Sequence, residues 1–255
     1  MTTVGSGPSH GTRRGASGRT LRVGVLNALL LASVHAPHIW SATTTVTPAA
    51  ANKSTLATVT RHASFAKEKP SVDARHIADW VADSRDNMRV EFFIIDKKAA
   101  RIYVFDADAQ LKGSSAVLLG FAKGDDSAPG IGLKPIKAVK PEEKTTPAGR
   151  FVAERGRNAL GEDVIWIDYD AAVSMHRVRT TNAKERRLER LASATVDDNR
   201  ISFGCINVPV AFYNTQIRPV FAKRRAIVYV LPETKTAQQV FKSYDVAAKH
   251  GPGAK

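Results

Sequence analysis

The chain has 255 residues, of which 43% are hydrophobic, so it can bury a sizeable core and is long enough for one or two domains. Lysine and arginine number 38 against 24 acidic residues, and the formal charge of +14 favours polyanionic partners such as an anionic membrane face or an acidic wall polymer. The basic residues are scattered in pairs without interleaved aromatic residues or a nucleic-acid motif, so no direct nucleic-acid binding is expected.

The N-terminal stretch has the pattern of a targeting segment. Arginines within residues 13–22 precede an apolar run at 23–34, as in a secretory signal. The run is shorter than the ~20 residues that a transmembrane helix needs. We therefore predict that residues 1–42 form a signal peptide or an uncleaved N-terminal anchor, which would be the chain's one membrane contact. A core helix with a basic lead is the alternative.

Residues 43–87 are predicted to form a linker that ends in a short helix. The linker is rich in Ser, Thr, Ala and Lys, which is typical of mobile segments. Ser71 can cap the helix, and Ile77, Trp80 and Val81 lie at helical spacing, which gives it one apolar face. The helix is expected to end between residues 84 and 87.

Strand patterns dominate the rest of the chain. Predicted strands cover residues 90–95, 101–105, 115–121, 164–169, 172–178 and 227–231, and residues 146–152 form a turn that enters a further strand. Predicted short helices cover residues 183–192, a segment from Pro209 to about 221, and residues 238–248. The sequence therefore predicts one mainly-β domain over 88–232, with short attached helices, and a C-terminal tail over 233–255.

A loop at residues 124–132 contains two adjacent carboxylates, Asp125 and Asp126. Such a pair can bind a cation, but it more often caps turns, and turn capping is the expectation here. No metal and no cofactor is predicted for this chain.

Cys205 is the only cysteine, so an intramolecular disulfide is excluded. The thiol is either a small buried hydrophobe or a nucleophile. A free thiol has a pKa of about 8.5, so a nucleophile needs a base that takes its proton. Of the seven histidines only His176 falls inside the predicted β domain, on an apolar strand upstream of the cysteine. It is the candidate base, and a satisfied structural histidine is the alternative.

The residues beside the cysteine allow an active turn. Gly204 permits a tight turn that presents the thiol, and backbone N–H groups on such a turn can bind an oxyanion. A helix starting after Pro209 would direct its positive end toward a thiolate. Ser202 and Asn207 can hydrogen-bond a substrate carbonyl or the loop itself, and ordinary turn chemistry is an equal alternative.

Three pieces of sequence, in this order, carry a resemblance to a known family: residues 146–151 (Thr-Pro-Ala-Gly-Arg-Phe), His176, and residues 202–207 (Ser-Phe-Gly-Cys-Ile-Asn). They resemble the ordered motifs of the L,D-transpeptidase (YkuD-type) catalytic domain. The resemblance covers roughly residues 88–232. It implies a β-sandwich-like domain with short attached helices.

The resemblance also implies roles for individual residues. Cys205 would be the nucleophile and His176 the general base. The backbone carbonyl of Arg177 would orient the imidazole, and Gly204 and Cys205 would supply the N–H groups that bind the oxyanion. The implied reaction is acyl transfer through a thioester.

Ser202, Phe203 and Asn207 would then shape the loop and contact substrate. The sequence departs from the family pattern at Phe203, where the signature usually has His, and a phenyl ring cannot donate a hydrogen bond. A second departure is the 25-residue stretch 177–201 between the two motifs, which is longer than usual. The predicted helix at 183–192 can form a lid there.

The implied donor is a peptidoglycan stem peptide, cut between the L-centre of meso-diaminopimelate and the terminal D-alanine. The acceptor can be a second diaminopimelate, a lysine of an envelope protein, or water, and water would make the protein an L,D-carboxypeptidase or amidase. A non-catalytic peptidoglycan-binding module, favoured by Phe203, and a polyanion-binding envelope protein are the rivals. Each of these functions implies an exported protein in the periplasm or cell envelope.

Overall fold

An eight-stranded sheet forms the centre of the protein in a computed structural model that describes residues 60–222 and 224–251. The predicted signal peptide or anchor at 1–42 and most of the linker lie outside these residues. The described strands are β1 (Phe92–Asp96), β2 (Arg101–Phe105), β3 (Leu111–Ala116), β4 (Leu119–Gly120), β5 (Gly149–Arg157), β6 (Asp163–Asp168), β7 (Val173–Arg177), β8 (Arg200–Ser202), β9 (Ile206–Val208) and β10 (Ala226–Val230). The mainly-β prediction is confirmed.

The large sheet has the strand order β3-β2-β1-β10-β5-β6-β7-β9, and β4 and β8 form a separate parallel pair. Within the large sheet, β1 pairs parallel with β10 and β7 pairs parallel with β9, while the other neighbours are antiparallel. Strands β1 and β10 are buried along their whole length. Burial on both faces explains why both read as continuous apolar runs rather than as alternating patterns.

Two apolar cores lie on opposite faces of β1 and β10. One core contains Phe93 and Val228 together with side chains from β6, β7 and β9. The other contains Phe92 and Tyr229 together with the helices at the two ends of the described chain. Alternate residues of one strand thus serve both cores, as the two-residue period of a strand requires.

Helix α1 (Val72–Ser84) has the cap and the apolar face that its sequence predicts. The hydroxyl of Ser71 accepts from the amide of Ala74 at 3.1 Å, and Ile77 and Val81 are fully buried. Trp80 packs edge-on against Tyr229 of β10 and close to the ring of Phe241 in the C-terminal segment. The predicted domain limits at 88 and 232 stay predictions, although residues from both sides of them share this core.

The other helices are shorter than predicted. They are α2 (Arg187–Ala192), α3 (Val210–Phe212), α4 (Ala237–Phe241) and α5 (Val246–His250), with 3-10 turns at Ile131–Leu133, Ile136–Ala138, Pro141–Glu143, Ala183–Glu185, Val196–Asn199 and Val220–Ala222. Every helix in the described part of the chain is too short or too polar to span a bilayer.

Left-handed residues interrupt two of the predicted helices. Arg186, at φ 50°, separates a 3-10 turn from α2, and Lys242, at φ 56°, ends α4 before α5 begins. The helix after Pro209 continues from α3 into a π turn (Tyr213–Ile217) and ends before Pro219, which cannot donate a helical hydrogen bond. The predicted strand at 115–121 is also divided, because the chain leaves β3 after Ala116 and pairs with β8 through β4.

A buried charge cluster links the end of β1, the start of β8 and the segment after β10. It is formed by Lys97, Asp125, Arg200 and Glu233. Lys97 is fully buried, with its Nζ 2.9 Å from Asp125 and 3.4 Å from Glu233. Glu233 also forms an ion pair with Arg200. Burial raises the pKa of the Asp125 carboxyl, but hydrogen bonds from Thr234, Lys97 and backbone amides outweigh it and hold that pKa well below its ordinary value.

Asp125 also caps a turn, as its sequence context predicts, although the turn is distant in the chain. Its carboxylate accepts from the backbone amides of Glu233, Thr234 and Lys235 at 2.7–2.9 Å. Asp126 is exposed to solvent instead, and its carboxylate pairs with the Nζ of Lys235 at 2.7 Å.

Candidate active site

The register between β7 and β9 sets the geometry of the candidate site. The strands run parallel with His176 opposite Asn207. Going back two residues on each strand places Ser174 opposite Cys205. Because side chains two residues apart on a strand point to the same face, these four side chains share one face of the sheet.

The thiol of Cys205 lies against β7 and the turn before it. Its Sγ is 3.5 Å from the amide nitrogen of Ser174, 3.7 Å from the Ser174 hydroxyl and 3.7 Å from the carbonyl oxygen of Ala172. Burial raises the pKa of the thiol, but the hydrogen bond and charge of His176, with the two Ser174 contacts, lower it more. The pKa of Cys205 therefore lies below its ordinary value, which favours the thiolate.

The imidazole of His176 is oriented by the backbone. Its Nδ1 lies 2.8 Å from the carbonyl oxygen of Arg177, and because a carbonyl can only accept, Nδ1 carries the proton. In the neutral imidazole the lone pair is then on Nε2, which is the nitrogen left to bond the Cys205 side chain. The carbonyl that the resemblance implies is thus in place, while its part in catalysis stays a prediction. The side chain of Arg177 is engaged elsewhere, with Asn214 at 2.9 Å.

Ser174 was not singled out from the sequence, although its position two residues before His176 places it on the same face of the strand. Replacing Ser174 with alanine removes the hydroxyl contact and leaves the amide contact. A hydrogen bond to the thiolate favours its charged form, so losing the Ser174 hydroxyl should raise the pKa of Cys205. The rate of alkylation by iodoacetamide, followed against pH, should show its midpoint moved upward.

Ser114→Ala is the matched control for this variant. Ser114 lies on β3, at the opposite edge of the sheet from β9, where its hydroxyl accepts from Arg101. It should leave the midpoint unchanged. An unchanged midpoint in Ser174→Ala as well would show that the hydroxyl does not stabilise the thiolate.

Hydrogen bonds from three buried side chains hold the turn that carries the thiol. Ser202 Oγ donates to the carbonyl of Cys205 at 2.6 Å and accepts from the amide of Gly204 at 3.1 Å. Asn207 Nδ2 donates to the same Cys205 carbonyl at 3.2 Å. The hydroxyl of Thr146 donates to the carbonyl of Gly204 at 2.8 Å. Two motifs that are far apart in the sequence therefore meet at this turn.

Gly204 has a conformation that requires glycine. Its φ is 125°, and a Cβ at this position would lie 2.8 Å from the carbonyl oxygen of Thr145. Its amide is occupied by Ser202, as described above. In the part of the chain that the structure describes, the amide of Cys205 has no hydrogen-bond acceptor, so it is the backbone group free to bind an oxyanion.

The three residues predicted to contact substrate differ in exposure. Ser202 and Asn207 are buried and bonded to the turn, whereas Phe203 is 41% exposed at the rim of the site. The Nζ of Lys144 lies 3.9 Å from the centroid of the Phe203 ring, a cation–π contact. Phe203 thus holds a cation at the rim, although its own ring has no donor. Substrate contact by the three residues stays a prediction.

A cavity of about 540 Å³ opens onto Cys205 and His176. Its walls come from the loop near residue 136, the β5–β6 hairpin, β7 with the residues after it, and the insertion that contains α2. This volume is in the range that holds a small ligand or a few peptide residues.

The insertion between the two motifs borders one side of this cavity. Near the middle of the insertion, Arg187 Nη1 donates to Asn207 Oδ1 at 2.5 Å. Near its C-terminal end, Asn199 Nδ2 donates to the carbonyl of Val117 at 2.9 Å. The insertion is therefore bonded to the domain at two points, and a role as a lid stays a prediction.

One expected contribution to thiolate stability is contradicted. Strand β9 lies between Cys205 and helix α3, so the helix does not begin beside the thiol. The charge at a helix terminus acts over about one turn. The extended residues of β9 place the start of α3 beyond that reach, so its positive end does not stabilise the thiolate. The pKa of Cys205 is lowered by His176 and Ser174 instead.

Together these features define a mainly-β domain with a candidate cysteine-nucleophile site. The site combines a thiol, an imidazole oriented by a carbonyl, and a free amide at the thiol residue, all next to one cavity. This is the arrangement that acyl transfer through a thioester needs.

Comparison with known proteins gave solved structures of similar shape. No family model and no curated sequence matches the chain. The helical cell shape determining protein Pgp2 from Campylobacter jejuni is 13% identical, with a TM-score of 0.40 over 67% of this chain and 58% of that chain. The L,D-transpeptidase from Xylanimonas cellulosilytica is 14% identical, with a TM-score of 0.34 over 55% of this chain and 60% of that chain.

The catalytic domain of the Enterococcus faecium L,D-transpeptidase is 17% identical, with a TM-score of 0.32 over 56% of this chain and 98% of that chain. The chain thus spans less than two thirds of the Pgp2 and Xylanimonas structures. Values this low do not carry an activity or a substrate across to this protein.

Proposed function

We propose that this protein is a cysteine acyltransferase of the L,D-transpeptidase type, acting on peptidoglycan stem peptides. The observation that carries the proposal is the placement of Cys205 beside His176 and Ser174, on one face of β7 and β9, with the pKa of the thiol lowered. The order of the sequence motifs supports it. The substrate follows from the resemblance of those motifs rather than from the cavity.

The proposed reaction has two steps. His176 Nε2 takes the thiol proton, and Sγ of Cys205 attacks the carbonyl carbon at the L-centre of diaminopimelate. The amide of Cys205 binds the oxyanion, the bond to D-alanine breaks, and His176 returns the proton to the departing amine. An acceptor amine then attacks the thioester, His176 takes its proton, and the free thiol is restored as the new amide forms.

The acceptor determines the biological result. A second diaminopimelate would produce a cross-link, a lysine of an envelope protein would attach that protein to the wall, and water would make the reaction an L,D-carboxypeptidase or amidase step. The open cavity admits water as well as an amine, so hydrolysis is the second candidate function. Product analysis with a defined stem peptide, with and without an acceptor amine, separates the two.

The proposal includes an exported protein in the periplasm or cell envelope. The basic flank and apolar run at the N-terminus support export, with membrane attachment only through an uncleaved N-terminus. The formal charge of +14 suits work beside an anionic polymer.

Labelling with a carbapenem tests the proposal. The thiol should open the β-lactam ring and retain the whole molecule as a thioester, so the intact mass should rise by the mass of the carbapenem. Cys205→Ala should show no adduct, because it removes the only thiol in the chain.

The absence of an adduct on folded wild-type protein, together with no turnover of stem peptide, would contradict the proposal. That result would favour the non-catalytic peptidoglycan-binding module. A polyanion-binding protein would instead show salt-dependent retention on an anionic resin, unchanged in Cys205→Ala.

A further inference from the structure

Two arginines outside the cysteine motif line the same cavity as Cys205 and His176. Arg187 is the first residue of α2, and Arg179 follows β7. The side chain of Arg187 is only 13% exposed, whereas that of Arg179 is 40% exposed and lies 3.6 Å from Glu162. A cation that is largely shielded from water interacts more strongly with an anionic ligand than one on the open surface.

The hydrogen bonds of Arg187 leave part of its guanidinium unused. Its Nε donates to Glu185 at 2.5 Å and its Nη1 donates to Asn207 at 2.5 Å. Among the residues that the structure describes, no acceptor is bound to its Nη2. A planar guanidinium has five N–H donors in a fixed fork, so it can hold Glu185 on one side and bind a second carboxylate through Nη2.

The position of Arg187 indicates which part of a substrate it can contact. It is bonded to Asn207, and Asn207 lies opposite His176 in the register of β7 and β9. In the proposed reaction His176 gives its proton to the departing amine, so Arg187 lies on the leaving-group side of the thiol. The nearest anion there is the carboxylate of the departing amino acid, which one carbon atom separates from its amine.

We propose that Arg187 binds the free terminal carboxylate of the departing residue, and so restricts the site to the last residue of a peptide. This assignment rests on the proposed function, because it needs His176 to face the leaving group. Arg187 comes from the insertion that separates the two motifs. The insertion would thus provide specificity rather than only a cover for the cavity.

The test compares two stem peptides that differ at one group: a C-terminal D-alanine carboxylate and its carboxamide. A charge-assisted hydrogen bond corresponds to about a 10- to 100-fold difference, so wild type should have a kcat/KM higher by that factor for the acid. Arg187→Ala should lose this preference by losing activity on the acid alone. Arg187→Lys, which keeps the charge without the fork, should retain part of it.

Two controls separate binding from a structural effect. Arg186→Ala removes a neighbouring exposed arginine that pairs with Glu189, and it should leave the preference intact. Alkylation by iodoacetamide, which has no carboxylate, should proceed in Arg187→Ala at the wild-type rate if the cysteine turn is undisturbed.

The possible failures are distinguishable. If wild type prefers the acid and Arg187→Ala keeps that preference, or loses activity on both peptides equally, the assignment of Arg187 is overturned and the proposed function stands. The same holds if wild type processes acid and amide equally. If wild type processes neither peptide and forms no carbapenem adduct, the proposed function fails and the assignment with it.

Discussion

Replacing His176 with glutamine is expected to lower the rate of carbapenem acylation by about 10²- to 10⁴-fold, the range that a general base contributes. The cause is the loss of both the proton acceptor and the interactions that lower the pKa of Cys205. At the pH of the assay less thiolate would then be present, and nothing nearby would take the proton. Intact-mass time courses measure the rate directly.

The pH dependence of the acylation rate should also shift in a defined direction. In wild type the pKa of the thiol is depressed, so reactivity should already be present below the ordinary thiol range. In His176→Gln the profile should move to higher pH, and the rate lost at neutral pH should be partly recovered in alkali.

His76→Gln is the matched control for the histidine. His76 lies on α1, where its Nε2 is 2.9 Å from the hydroxyl of Ser243, and α1 packs in the core opposite the one that contains side chains of β7 and β9. It should leave both the acylation rate and its pH profile unchanged. Wild-type acylation by His176→Gln would show that another group removes the thiol proton.

Replacing Lys97 with methionine is expected to lower the free energy of unfolding by about 3–5 kcal/mol. The substitution keeps a long apolar stem but leaves the buried carboxylates of Asp125 and Glu233 without this cation. It also removes a hydrogen bond of 2.9 Å from Nζ to the carbonyl of Thr146. Urea unfolding followed by circular dichroism measures the loss as a lower midpoint.

Lys98→Met is the control for this substitution. Lys98 is the next residue, half exposed, and pairs with Asp73 on the surface. Exposed ion pairs contribute about 0–1 kcal/mol, so its midpoint should stay near that of wild type. If Lys97→Met lowers the midpoint as little as Lys98→Met does, the charge cluster contributes little to stability.

The Lys97 variant should also affect the site, because the hydroxyl of Thr146 holds the carbonyl of Gly204. The charge cluster is therefore connected to the cysteine turn through Thr146, which bonds both Lys97 and Gly204. Sequence reasoning missed this connection. Lys97 stands in a polar Asp-Lys-Lys stretch that reads as a hairpin turn, and its burial depends on Asp125 and Glu233, which are remote in the chain.

The features that sequence predicted well are those set by local patterns. The apolar period of α1 and its Ser71 cap lie within one segment, and the central strands are continuous apolar runs. Helix breaks were missed because they occur at Arg186 and Lys242, which adopt a left-handed conformation without being glycine. Nothing in the residue type signals such a break, since tertiary contacts determine it.

The residues of the candidate site also differ in whether local sequence or tertiary contacts reveal them. Cys205 and His176 could be selected because each is alone of its kind within the predicted β domain. Ser174 could have been found from the two-residue period of its strand, but only once the strand was known to face Cys205. Arg187 could not be placed, because its position depends on how the insertion folds back to Asn207.

The position of β10 in the sheet limits when the sheet can form during synthesis. Strand β10 is the last strand among the described residues, yet it lies in the middle of the sheet, between β1 on one side and β5 on the other. Its parallel pairing joins Phe92 to Ile227, across more than half of the chain. Contacts of such long sequence separation form late and slowly. The sheet cannot close around its two cores until synthesis has passed β10, so β1 and β5 emerge from the ribosome well before the strand that joins them.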